Sequence, residues 1–308
     1  MNMITNLNAT IRNPFEGTFE NGPLDFAVDT DDLHINRTDM PTSEKKAALR
    51  LDEHGNVVDW WVVGSDYPLK SHRQYYDAIE REIINNMDPN HVNGVTVKTK
   101  VARNGRWGMR DYLFPNVAVP IKTRAGHETT VSLRIIAWSG LDGLTANNYM
   151  LGAIDGFCTN GMVFTQAADR DSAYVKVYKR NTKNFNLDAF AVHLRSSVEI
   201  FYEQAEQYRK MALLPLSHQH GIKFIDELSM SESKRDGIKS IYGHEIIDRG
   251  ENVFALHSAL TNYSSHQNPN LFRTRSTKND VLAETMFKRE EEVANIFTSN
   301  RWSELMAA

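Results

Sequence analysis

Two strand-like stretches, residues 112–121 and 129–138, are separated by a short segment containing Lys122-Thr123-Arg124-Ala125-Gly126. A short, glycine-ended polar connection between two such runs is the pattern of an antiparallel hairpin, here with a basic tip. Residues 95–101 alternate apolar positions with Thr and Lys, which predicts a further half-exposed strand. A sheet of this kind has to cover its apolar face, and residues 187–211 supply a cover. There Phe190, Leu194, Val198, Phe201, Ala205 and Tyr208 recur at steps of three and four, the spacing of one helix face. Asn186 or Asp188 is placed to cap its start, and Pro215 stops it. The fold class expected is α+β: an antiparallel sheet with a long amphipathic helix packed on it.

The remaining segments fit around this centre. Residues 1–45, rich in Asn, Asp, Thr and Pro, sustain no apolar period and are expected to form an extended N-terminal arm. A hairpin is predicted from strands at 47–51 and 57–63 around Asp52-Glu53-His54-Gly55-Asn56. Ser71 with Gln74 forms a capping-box pattern, opening a helix through about Asn86 with Tyr75, Ile79 and Ile83 on one face. Residues 103–110 read as a glycine-punctuated loop, 149–157 as either helix or strand with helix preferred, and 162–166 and 173–178 as strands. Short helices are expected over 221–242, a buried helix over 251–263, a loop over 264–280 and a charged final helix over 280–301, with Ile296, Phe297 and Trp302 available for docking. The chain divides into an arm (1–45), an α+β core domain (46–266), and a linker with a helical C-terminal part (267–308).

Several function classes find no support. No apolar run approaches the about 18 residues of a membrane helix, and the N-terminus lacks the basic start and apolar core of a signal peptide. The single cysteine, Cys158, excludes an internal disulfide and fits a reducing compartment, so a cytoplasmic protein without a membrane partner is expected. There is no GxxxxGK[ST] loop for ATP, and Gly152 to Gly156 is no dinucleotide fingerprint. Cys158 would need a histidine base to act as a nucleophile. Its nearest histidines, His127 and His193, lie in no recognisable partner motif, and a buried small side chain before the Asn160-Gly161 turn is the better reading. His218-Gln219-His220 has the form of a chelating pair, but it follows a stopped helix and reads as solvent-facing loop. Asp142, Asp155, Asp169 and Asp171 fit no metal-nuclease spacing. No catalytic residue, metal site or cofactor is expected.

Charge is unevenly spread. Residues 1–90 carry 8 Lys and Arg against 16 Asp and Glu, whereas residues 91–200 carry 14 against 8. An acidic front and a basic middle suggest a polyanion partner. Lys98, Lys100, Arg103, Arg106, Trp107, Arg110, Lys122, Arg124 and Arg134 fall on the predicted strands and turns. Tyr174, Lys176, Tyr178, Lys179, Arg180 and Lys183 interleave aromatic with basic residues. A cationic groove with stacking platforms is what binding of single-stranded nucleic acid requires. Replacing Arg103, Arg106 and Arg110 by Ala is then expected to weaken binding without unfolding the chain.

Short pieces in order along residues 47–266 resemble a widespread phage- and plasmid-borne family of domain-of-unknown-function proteins. Val62-Val63-Gly64-Ser65-Asp66-Tyr67-Pro68 is similar to its strand-then-turn. Trp138-Ser139-Gly140-Leu141-Asp142-Gly143 stands at its "DGS"-type turn, Cys158-Thr159-Asn160-Gly161-Met162 at its "C(S/T)NG" element, and Leu256 to Tyr263 at its "NA-x-T-x-Y" helix. Leu144 and Ser258 depart from the pattern, which places Ser or Thr, and Asn, at those positions. In architecture alone, strands followed by a long helix resemble phage single-strand annealing proteins. These resemblances imply a phage DNA-metabolism protein that binds single-stranded DNA, promotes annealing in recombination and forms a homo-oligomer in the cytoplasm of an infected bacterial host. A structural or host-interaction protein that oligomerises without nucleic acid is the alternative, and a metal-dependent nuclease the third reading.

Overall fold

The computed structural model describes residues 13–34, 41–156, 161–163, 187–266 and 279–307. Strands β1 (Ala27–His34), β2 (Pro41–Leu51) and β3 (Val57–Gly64) form a small antiparallel sheet in that order. Helices α1 (His72–Asn86) and α2 (Pro89–Val92) follow. A second antiparallel sheet runs β4 (Thr96–Ala102), β5 (Trp107–Lys122), β6 (Glu128–Gly140), β7 (Asn148–Asp155), β8 (Gly161–Val163), each strand beside the next. The helical part comprises α3 (Asp188–Leu213), α4 (His218–Asp226), α5 (Glu232–Arg249), α6 (Val253–His266), α7 (Asn279–Phe297) and α8 (Asn300–Ala307). The α+β class and the long helix are as expected.

Both faces of the large sheet are covered. One presents Tyr112, Phe114, Leu133, Ile135, Tyr149 and Leu151 to the main core, where side chains of α1, α3 and α6 meet them. The other carries Met109, Ile136, Trp138 and Met150 against Ala294 of α7. Burial on two sides explains the unbroken apolar run from Ile135 to Trp138 in the second half of β6. Helix α6 is buried around nearly its whole circumference, which its even apolar character anticipates. The Ser71–Gln74 capping box forms in full, with Ser71 Oγ accepting from the Gln74 N–H and the Gln74 side chain accepting from the Ser71 N–H.

Four expectations are corrected. The N-terminal segment is no loose arm where it is described: Phe15, Phe19 and Leu24 are buried in the main core, and β1 pairs with β2 from Ala27↔Leu51 onward. These three residues anchor by size rather than by period, so no repeat announces them. Residues 149–157 are not helical; β7 pairs with β6 from Trp138↔Asn148 to Val131↔Asp155. The exposed edge of a thirteen-residue strand decides that conformation against local preference. The loop at 103–110 narrows to one 3-10 turn, Arg103–Gly105, because Trp107 to Arg110 pair with β4 and β6. The final helix breaks at Ser299, whose Oγ accepts from the Trp302 N–H at 3.2 Å and starts α8. Residues 164–172, the predicted strand at 173–178 and Cys158 lie outside the described residues.

The small sheet packs its inner face, Ala48, Trp61 and Val63, on Leu141, with Phe26, Val28, Tyr67 and Leu69 around it. Trp61 Nε1 donates to the Leu141 carbonyl at 2.7 Å, and Tyr67 Oη to that of Gly140 at 3.2 Å, so the turn after β6 serves as its seat.

His257 of α6 lies in an aromatic stack, 4.5 Å from the Phe297 ring and 6.1 Å from Phe254. Its buried Nδ1 has no hydrogen-bond partner among the described residues. Burial, reinforced by the Arg249 charge, pushes its pKa down to about 3 from 6.5. Below pH 6.5 the unfolded chain takes up a proton that the fold refuses, so this residue withdraws stability as pH falls toward 3. His257→Phe keeps the stack and removes the proton site. Its unfolding free energy relative to the parent is expected to gain about 3 kcal/mol between pH 7 and pH 4, measured by urea melts at both values.

Candidate binding surfaces

Among the described residues, the basic side chains of the middle segment do not converge. Arg103 Nη1 donates to Asp142 Oδ2 at 2.6 Å and to Thr145 Oγ1 at 3.0 Å. Arg106 Nη2 donates to both Asp59 oxygens, at 3.0 and 2.9 Å, with its guanidinium 5.2 Å from the Trp61 ring centre. Arg110, only 2% exposed, pairs with Glu80, which also accepts from Tyr112 Oη at 2.9 Å, and stacks 4.1 Å from Phe19. Arg134, 3% exposed, grips both Asp111 oxygens at 2.7 and 2.9 Å and reaches Glu290 of α7 at 3.3 Å. Trp107 is buried in the second face of the large sheet. Trp107, Arg110 and Arg134 are therefore buried, while the paired Arg103 and Arg106 keep 34 and 28% of their side chains exposed. The partners of the four arginines stand 23 to 156 residues away in sequence, where no local motif could reveal them.

Lys98, Lys122 and Arg124 are exposed, and Lys100 is half-buried. Lys98 and Lys100 sit on β4, opposite the first residues of β5, whereas Lys122 and Arg124 are at its far end. Along β6 the positions of Lys98 and Lys122 fall opposite Ile136 and Glu128, about 26 Å apart, so these are two separate spots. Tyr174, Lys176, Tyr178, Lys179, Arg180 and Lys183 lie outside the described residues.

A closed charge centre missed by the sequence reading stands at the end of β7. Arg249, fully buried, donates Nη2 to Asp155 Oδ2 at 2.8 Å and Nε to Glu245 Oε2 at 2.7 Å, while its Nη1 lies 3.2 Å from His127 Nε2. Thr129 Oγ1 donates to Asp155, and Asn262 Nδ2 to Glu245 Oε1 at 3.3 Å. Burial, with the Arg249 charge beside it, lowers the His127 pKa. Every carboxylate oxygen here meets a donor, so the arrangement ties sheet to helices. Asp142 lies just beyond the opposite end of β6 from Asp155, and no group of three metal-ligating side chains forms among the described residues. His218 and His220 are exposed, on the first turn of α4 rather than a loop.

The outer face of the small sheet is of another character. Trp60 is 57% exposed, and Val57, Val58 and Val62 are exposed by 53, 55 and 47%. Across the strands the register sets Val57 beside Leu51, Trp60 beside Leu49 and Val62 beside Ala47. A register shift between Arg50 and Leu51 leaves Val58 as the extra residue of a bulge. The exposed β3 side chains thus adjoin the half-buried Leu49 and Leu51 and the buried Ala47 of β2 in one apolar surface. Exposed apolar stripes of this kind mark contact sites more often than chance exposure does. An open groove of about 1250 Å³ lies under this sheet, between Arg50, Arg73, Ser71 and Asn104, but Arg73 is held by Asp25 and Arg50 by the Asn104 carbonyl and the Phe26 ring.

Residues 62–290 match the family described as Domain of unknown function (DUF932). The chain belongs to this family. No curated protein and no solved structure matches it. The DUF932 match ends on Glu290, the residue that closes the Arg134 pair, and begins inside β3. Val57, Val58 and Trp60 therefore precede the matched DUF932 residues.

Because Arg110 is a structural ion pair, Arg110→Ala is expected to destabilise the chain by about 3–5 kcal/mol by stranding Glu80 in the core. Lys98→Ala and Lys122→Ala should shift stability by less than about 0.5 kcal/mol. Urea unfolding distinguishes the two outcomes, and it replaces the expectation that the Arg103, Arg106, Arg110 triple variant is neutral to folding.

Proposed function

We propose that this DUF932 chain is a binding and assembly protein whose contact surface is the outer face of the small sheet. The observation that carries the reading is the row Val57, Val58, Trp60 and Val62, half exposed on a strand whose inner residues are well packed. Burying such side chains against a partner is worth about 1.5–3 kcal/mol each when complete. A photo-crosslinking residue at Val62 should yield a discrete covalent product in cells carrying the gene. The same residue at Asp236, an exposed position on α5, should not. Absence of a product from Val62 would sink the reading.

The second reading is single-stranded nucleic-acid binding within phage or plasmid DNA metabolism, with annealing and homo-oligomer formation in a bacterial cytoplasm. It is favoured by the excess of basic residues over 91–200 and by the exposure of Lys98, Lys122 and Arg124. Oligonucleotide anisotropy at rising salt tests it. Changing Lys98, Lys100, Lys122 and Arg124 together to Gln should reduce the slope of log affinity on log salt by up to about 3. No single-strand affinity at low salt would dismiss it.

A further inference from the structure

We infer that the outer face of the small sheet receives an amphipathic helix flanked by Lys and Arg, and not an added strand. The inference rests on the docking reading above and names its partner. The edges speak first. On β1, the Thr30 N–H donates to its neighbour Asp29 Oδ1 at 2.7 Å and the Asp32 N–H to Asp31 Oδ1 at 2.8 Å. On β3, the Trp60 N–H donates to Asp59 Oδ1 at 2.8 Å, while the Trp60 carbonyl accepts from Arg106 Nη2 at 3.2 Å. β1 and β3 are the two end strands of the sheet. An incoming strand would need these backbone groups, and side chains of the same fold already occupy them. Natural sheets block edge pairing with such devices.

The face remains. Its rows read Ala27–Leu51–Val57, Asp29–Leu49–Trp60 and Asp31–Ala47–Val62 across the three strands. Within these rows β2 and β3 are apolar and β1 carries Asp29 and Asp31, while the exposed Lys45 lies beyond Ala47 on the same face of β2. The apolar band is about 10 Å wide, the diameter of a helix, and its length from Val57 to Val62 of about 17 Å matches roughly 11 helical residues. Exposed Glu53 at the hairpin turn adds to the acidic border. A helix whose apolar stripe lies on Trp60 and Val62 would set basic flanking side chains over Asp29 and Asp31. A second copy fits worse. Face-to-face two-fold packing lays Asp29 and Asp31 either on their own copies or on Trp60 and Val62.

The probe is a labelled helical peptide with a leucine stripe and lysine flanks, titrated with the full chain and followed by anisotropy. Controls are the same peptide with glutamate flanks and an alternating valine–lysine strand peptide. The lysine-flanked helix should bind at least about tenfold more tightly than either control. Trp60→Ser with Val62→Ser should abolish binding, and Val62→Lys should do so by charge alone. Asp29→Asn with Asp31→Asn should weaken it severalfold and flatten its salt dependence. Equal binding of the glutamate helix, or preference for the strand peptide, overturns the inference. So does light scattering that shows a dimer lost in the Trp60→Ser variant, an outcome that leaves the docking surface standing with another occupant. Loss of the Val62 crosslink, by contrast, removes the docking reading itself.

Discussion

Three buried guanidinium groups hold the large sheet to what surrounds it. Arg110 turns toward α1 and Glu80, Arg134 toward α7 and Glu290, and Arg249 of α5 toward Asp155 at the end of β7. A buried charge without its partner is among the most destabilising defects a fold can contain. Each pair therefore admits only placements of strand and helix that bring its two members together. Arg134 fixes more than proximity. Its fork meets both oxygens of Asp111 on the neighbouring strand, and a slip of one residue would carry it to the opposite face of the sheet.

These pairs also change the meaning of the charge pattern. The acidic front and basic middle are partly the two halves of internal contacts: Asp59 with Arg106, and Glu80 with Arg110. Part of the positive excess that suggests a polyanion partner is thus offset within the fold, at Arg106 and Arg110. Among the described residues, the unburied cations of the predicted site are Lys98 and Lys100 on β4, Lys122 and Arg124 at the hairpin tip, and the paired, part-exposed Arg103 and Arg106. Among the described residues the apolar face of the small sheet has no such internal answer, which is why it outweighs the basic residues as a candidate contact.

Local signals in the sequence were reliable where the structure is decided locally. The hairpin of β5 and β6, the capping box at Ser71 and the face of α3 all follow from spacing and short-range hydrogen bonding. Helix α6 was legible because its apolar residues lack a polar side. The failures have the opposite origin. β7 takes its form from the free edge of β6, Phe15 and Phe19 are held by aromatic partners far along the chain, and the arginines are buried by carboxylates remote in sequence. The apolar row of β3 was visible as strand; that its outer positions stay uncovered is a property of the assembled sheets alone.

Glu290, Phe297 and Trp302 belong to the core although they come near the end of the chain. Among the described residues the large sheet's strands all end by Val163, yet the charge of Arg134 meets its second carboxylate only when α7 arrives. On the ribosome, the growing polypeptide must therefore wait with one face of this sheet uncovered until α7 has emerged. Shielding of that surface during synthesis becomes a requirement of the topology itself.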